Sequence, residues 1–96
     1  MSFNGWQEFI DLCKSSIKAN NFDELMQVLL TLEEKEQFST RVLLLQQLLQ
    51  AEKSQREIAK DLHISISKIT RGSNELKRSS TMMLDFLKDN LTTEKQ

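Results

Sequence analysis

The chain has 96 residues, a formal net charge of −1, no proline, two glycines and 39% apolar residues. A chain of this size makes one domain whose core is marginal on its own, and so few turn-forming residues exclude a strand-rich fold in favour of an all-α one. No apolar run approaches the roughly 20 residues that span a bilayer, no signal peptide is evident, and the single Cys13 cannot close an internal disulfide. The expectation is a cytoplasmic protein with a buried, reduced thiol and no membrane partner.

Trp6, Phe9, Ile10, Cys13 and Ile17 recur at three- and four-residue intervals, which predicts a first amphipathic helix. In "NNFDEL", Asn21 with Glu24 reads as a capping box for a short second helix whose face is Phe22, Leu25, Met26 and Leu29. "TLEE" repeats the signal with Thr31 and Glu34, and the third helix runs to about Gln50. Its acidic first turn suits the helix dipole. "SQRE" is a further capping box, Ser54 with Glu57, opening a fourth helix through Leu62. After a break at "HIS" a fifth helix covers Ile66–Leu76, and "RSST" separates it from a sixth containing Met83, Leu84, Leu87 and Leu91. The polar tail "TTEKQ" is expected to fray. Small helical chains of this kind commonly complete their core by dimerising.

Charge is unevenly spread. Residues 53–78 hold seven Lys and Arg against Glu57, Asp61 and Glu75, a local +4, which leaves −5 for the rest of a chain of net −1. A basic segment in an acidic protein points to an anionic partner.

Within it, "QREIAKDLHISISKITR" has the spacing of a helix-turn-helix. Ile58, Leu62, Ile64 and Ile69 are placed to pack two short helices, with Ala59 small where they approach. With Ile69 turned inward, Ile66, Ser67, Lys68 and Thr70 face out, a surface that can meet base edges and thymine methyls in a major groove. Lys68, Arg56 and Lys60 can reach phosphates. His63 stands in the turn where glycine is usual, and histidine tolerates positive φ better than a branched residue does. A structural helical hairpin with a solvated basic face is the competing account.

Two arginines and one glycine are harder to place. Arg41 falls on the apolar track of Phe38, Leu45 and Leu48, and a charge flanking a core needs a partner or an outlet. Gly72 interrupts a helix at a cost of roughly 1 kcal/mol relative to alanine, with Arg71 beside it and Glu75 one turn on. Two guanidiniums, a carboxylate and bare backbone could form a pocket for a small zwitterion. An ordinary Arg71–Glu75 helix pair accounts for the same residues.

The sequence resembles the Trp repressor family, on "TRV" at 40–42, "SQRE" at 54–57 and "ITRGSNELK" at 69–77, with a looser match from "WQEFIDL" at residue 6 through the last helix. That family belongs to the helix-turn-helix DNA readers. The resemblance implies a six-helix intertwined homodimer, one domain over 1–96, in which 1–50 and 80–91 dimerise and 54–77 form the reading head. It implies a dimeric transcriptional repressor of tryptophan metabolism genes, with L-tryptophan as corepressor and double-stranded operator DNA as partner. Arg41 and Arg71 would sandwich the indole, and Arg71 would also take the carboxylate. Thr31 would help hold the ligand, with the carbonyls of Val28 of the partner subunit and Leu30 of the partner subunit facing its ammonium. Gly72 would let ring and backbone approach closely. Ile66, Ser67 and Thr70 match the base-reading helix, and Gln55 and Arg56 its phosphate-facing predecessor. Three departures stand out: Glu75 where serine helps bind the ammonium, Lys68 for a threonine, and Ala59 for a basic residue. The N-terminal arm is also short.

A ligand-independent DNA-binding protein and a helical interaction protein that binds no DNA remain the alternatives. An enzyme is not expected, since the one histidine lies in the turn and no metal-ligand cluster or phosphate loop occurs.

Overall fold

The computed structural model describes residues 4–92, and these form six α-helices and no strands. They are α1 Gly5–Lys18, α2 Phe22–Leu29, α3 Leu32–Gln50, α4 Gln55–Leu62, α5 Ile66–Arg78 and α6 Thr81–Leu91. The chain divides into two compact units, residues 1–35 and 36–96, and the boundary falls inside α3. The start of the N-terminal arm and the end of the polar tail, residues 1–3 and 93–96, lie outside the described residues.

In the first unit, Asn4 caps α1 by accepting a hydrogen bond from the Gln7 amide at 3.1 Å, and the Trp6 and Phe9 rings meet at 5.4 Å between centroids. Ser16 is buried and its hydroxyl donates to the Cys13 carbonyl at 2.9 Å. Cys13 is a free thiol and only half-buried. Asn20 turns the chain with φ 62°, a left-handed conformation that asparagine adopts more readily than most residues. The expected box at Asn21 does not form. Asn21 enters α2 at φ −131°, ψ 26° and makes no side-chain cap bond, because only an extended N-cap aims its side chain at the amides one turn ahead. The box at Thr31 does form: the Glu34 amide donates to Thr31 Oγ1 at 3.1 Å, and the Thr31 amide donates to Glu34 Oε1 at 2.9 Å.

The second unit holds the buried core. Leu44 of α3, Ile58 of α4 and Ile69 of α5 are exposed by 2% or less, with Leu48, Ala59, Leu62 and Ile64 packed against them. Removing an isoleucine side chain of this kind from water contributes about 2 kcal/mol. Gln46 Nε2 donates to the Leu91 carbonyl at 2.7 Å, which ties α3 to the end of α6. The Ser54–Glu57 box is complete in both directions. α5 continues to Arg78, two residues beyond its expected end, so the break in "RSST" narrows to Ser79 and Ser80. Ser79 is extended and its hydroxyl donates back to the Glu75 carbonyl at 2.9 Å, and Ser80 caps α6 by accepting from the Met83 amide at 3.1 Å.

Much apolar surface is left open. Trp6, Ile17, Val28, Leu32, Phe38, Met82 and Phe86 are each more than half exposed, and Val42 and Leu43 on α3 nearly so. Helix α3 buries Leu44 yet shows leucine and valine on its other faces, the pattern of a helix that needs cover on more than one side.

Candidate functional site

Helices α4 and α5 meet through a three-residue turn. His63 adopts φ 56° and ψ 45°, the left-handed conformation expected of it, and its amide closes onto the Ala59 carbonyl. The Ile64 amide donates to the same carbonyl at 3.1 Å, so two successive amides of the turn converge on one acceptor in the last turn of α4. Ile58 and Ile69 lock the two helices face to face. Ser65 then caps α5 by accepting from the Lys68 amide at 3.3 Å.

That packing decides which residues face outward. Gln55, Arg56 and Lys60 on α4, and Ile66, Ser67, Lys68 and Thr70 on α5, are all exposed. The Ser67 hydroxyl is engaged by Ser65 Oγ at 3.0 Å, whereas Arg56, Lys60 and Lys68 have no ion-pair partner among the described residues. The net positive charge of this segment is therefore concentrated on one capped helix pair. Lys53 is engaged differently, in an ion pair with Asp61. The hydrogen bond it donates to Asp61, and the charge of that carboxylate, hold the Lys53 ammonium above its ordinary pKa of 10.5. Bonds from Ser54 push the Glu57 carboxyl below its ordinary 4.5.

Gly72 lies on the inner side of the same helix and is buried. A Cβ there would stand 3.1 Å from Leu44 Cδ2 and 3.6 Å from Leu48 Cδ1. The close approach at Gly72 is thus between α5 and α3, an account of the glycine that needs no ligand. Arg71 precedes this contact, and Arg41 lies one turn before Leu44 on α3. Both arginines are exposed and neither side chain has a hydrogen bond or ion pair among the described residues. The expected alternative, an Arg71–Glu75 pair, is not what forms. Glu75 pairs with Arg78 at 3.6 Å, with both side chains largely exposed.

The remaining ligand candidates belong to the first unit. Thr31 Oγ1 accepts the Glu34 amide in the capping box and keeps its own proton to donate. Val28 is 81% exposed at the end of α2. No backbone amide among the described residues donates to the carbonyls of Val28 or Leu30, and the last turn of α2 carries no basic residue. Open carbonyls at a helix C-terminus carry partial negative charge and suit a cation.

The sequence reading missed the Lys53–Asp61 and Glu75–Arg78 pairs. The first spans eight residues and has no helical spacing to betray it. The second, three residues apart within one helix, was legible and competed with the four-residue spacing to Arg71. No group of His, Cys, Asp or Glu among the described residues could hold a metal ion, and no helix among them is long and apolar enough to cross a membrane.

Arg56, Lys60 and Lys68 thus stand exposed on a tightly capped helix pair, an arrangement suited to an anionic partner. Residues 4–91 match the family model described as "Trp repressor protein". The chain is 41% identical over 86 residues to a "Trp operon repressor homolog" of Vibrio parahaemolyticus, which covers 90% of this chain and 84% of that protein. It is 43% identical over 79 residues to the protein of that name from Vibrio cholerae, covering 82% and 77%. With the one from Chlamydia caviae it shares 40% over 86 residues, covering 90% and 85%. The chain belongs to the Trp repressor family.

Proposed function

We propose that this chain is an L-tryptophan-dependent repressor of tryptophan metabolism genes, acting in the cytoplasm as a homodimer on a palindromic operator. The observation that carries the reading is the pair Arg41 and Arg71, two exposed guanidiniums without protein partners beside the buried contact of α3 with α5. In this reading their planes stack on the two faces of the indole, and Arg71 also takes the ligand carboxylate in a fork. Glu75, held by only a long exposed pair with Arg78, is available to the ammonium. Thr31 donates its hydroxyl, and the open carbonyls of Val28 of the partner subunit and Leu30 of the partner subunit complete the ammonium site. Gly72, packed against Leu44, lets α5 approach α3 closely beside that site.

Residues 54–77 serve as the reading head. Ile66, Ser67 and Thr70 meet base edges, and Gln55, Arg56, Lys60 and Lys68 meet phosphates. Residues 1–50 and 80–91 supply the dimer contacts, a role supported by their exposed apolar side chains. Ligand binding biases an equilibrium of reading-head positions toward the spacing of successive major grooves, roughly 34 Å, and shifts it only by its differential affinity for the two states.

Calorimetric titration with L-tryptophan, with indole-3-propionate alongside, tests the reading. The expected result is one saturable site per subunit, an affinity that differs for the analogue lacking an ammonium, and tighter binding of a cognate operator in the ligand's presence. No saturable heat at two temperatures would leave the family fold without this ligand.

A further inference from the structure

Lys53 belongs to the basic segment but not to the outward surface assigned above. It stands two residues before the start of α4, next in sequence to the Ser54 cap and close to Gln55 and Arg56. Its ammonium is held by Asp61, near the other end of α4, and the two side chains are 44% and 42% exposed. A pair this open to solvent is weak and exchanges readily. Lys53 therefore keeps its charge at neutral pH, while the net field it shows the surroundings is cancelled by its neighbour.

We propose that Lys53 is a DNA-phosphate contact held in reserve by Asp61, its ammonium passing from the Asp61 carboxylate to a backbone phosphate oxygen when duplex DNA meets the start of α4. This rests on the DNA-binding function proposed above. The exchange replaces one anion with another, and it is favoured because a neutralised phosphate releases condensed counterions. Asp61, uncovered beside a polyanion, opposes the same step. The pair therefore admits a well-placed phosphate and discourages a distant one. Its effect falls on backbone affinity and leaves base preference unchanged.

The test uses the full chain with saturating L-tryptophan and a duplex of random sequence, with affinity followed over a salt series for Lys53→Gln, Asp61→Asn, the double variant and Arg56→Ala. The expected result is that Lys53→Gln flattens the slope of log affinity against log salt by about 0.9 per subunit. Asp61→Asn tightens binding several-fold, and that gain disappears in the double variant. An unchanged slope in Lys53→Gln overturns the proposal, as does a gain from Asp61→Asn that survives without Lys53. If both single variants weaken binding equally, the pair is a clamp on α4 and the proposal also fails. Salt-dependent binding that Arg56→Ala weakens and the other variants do not touch sinks this proposal alone. Absence of salt-dependent binding by the wild type sinks the DNA-binding function with it. Circular dichroism melts keep these outcomes separate from any loss of fold.

Discussion

Gly72 of α5 sits against Leu44 of α3 so closely that a Cβ at residue 72 would lie 3.1 Å from Leu44 Cδ2. The glycine thus costs helix propensity and gains helix–helix approach. Gly72→Ala recovers about 1 kcal/mol of propensity and asks a leucine methyl to give by a few tenths of an ångström. Its stability is expected within about 1 kcal/mol of the wild type. Gly72→Val brings two further carbons to the same place and is expected to destabilise by about 1–3 kcal/mol. Urea unfolding of the three proteins separates the cases, and a stable valine variant would show that α3 and α5 are not in contact here.

The Ser54–Glu57 box makes a prediction with a sign. Ser54 holds the Glu57 carboxyl below its ordinary 4.5, so the folded state binds that proton less readily than the unfolded chain. The contribution is present in full above pH 4.5 and is lost as pH falls through the lowered value. Ser54→Ala is expected to cost about 1 kcal/mol at neutral pH and to remove part of the acid sensitivity. Denaturant melts of both proteins from neutral to acid pH check this; parallel curves would mean the box does not govern the acid limb.

Glu75 is the position where this chain carries charge in place of the serine expected from its family. Its partner is Arg78, at 3.6 Å, which leaves Arg71 available. Glu75→Ser is expected to weaken L-tryptophan binding by roughly tenfold, about 1.4 kcal/mol, and to leave indole-3-propionate nearly unaffected. Tighter tryptophan binding in the variant would identify Glu75 as an obstruction.

Leu43 is 45% exposed on α3, one residue from the most buried leucine of that helix. In a monomer Leu43→Asp changes stability by less than about 0.5 kcal/mol. In the dimer proposed above it is expected to dissociate the subunits and to lower the melting temperature, the more so the lower the protein concentration. Sedimentation at two concentrations distinguishes the two.

What was legible in the sequence was local. Thr31 and Ser54 announce their helices because cap and glutamate lie within one turn, and His63 announces its left-handed turn because the helices on either side leave it no other place. Ile58 and Ile69 follow from spacing, since each faces a helix only a few residues away. Asn21 misled because a capping box needs an extended backbone as well as the right residues, and the turn through Asn20 does not deliver one. The neighbours of Gly72 were hidden for a different reason. Which helix crosses α5 at that point depends on contacts twenty-eight residues apart, from Leu44 to Gly72, and no periodicity encodes them. The candidate ligand residues were named from motif resemblance; spacing alone left Arg71 with two accounts, and the geometry now favours neither pairing it with Glu75 nor burying it.

The buried core of the second unit draws one side chain from each of three helices, Leu44, Ile58 and Ile69. In genetic terms, these three codons are where conditional alleles will gather. Trimming a single carbon, as in Ile69→Val, removes about 0.5–1.5 kcal/mol, enough to loosen the α4–α5 pair at the upper end of a growth range and spare it at the lower. A repressor damaged there would derepress on warming and recover on cooling, with every exposed contact residue still intact.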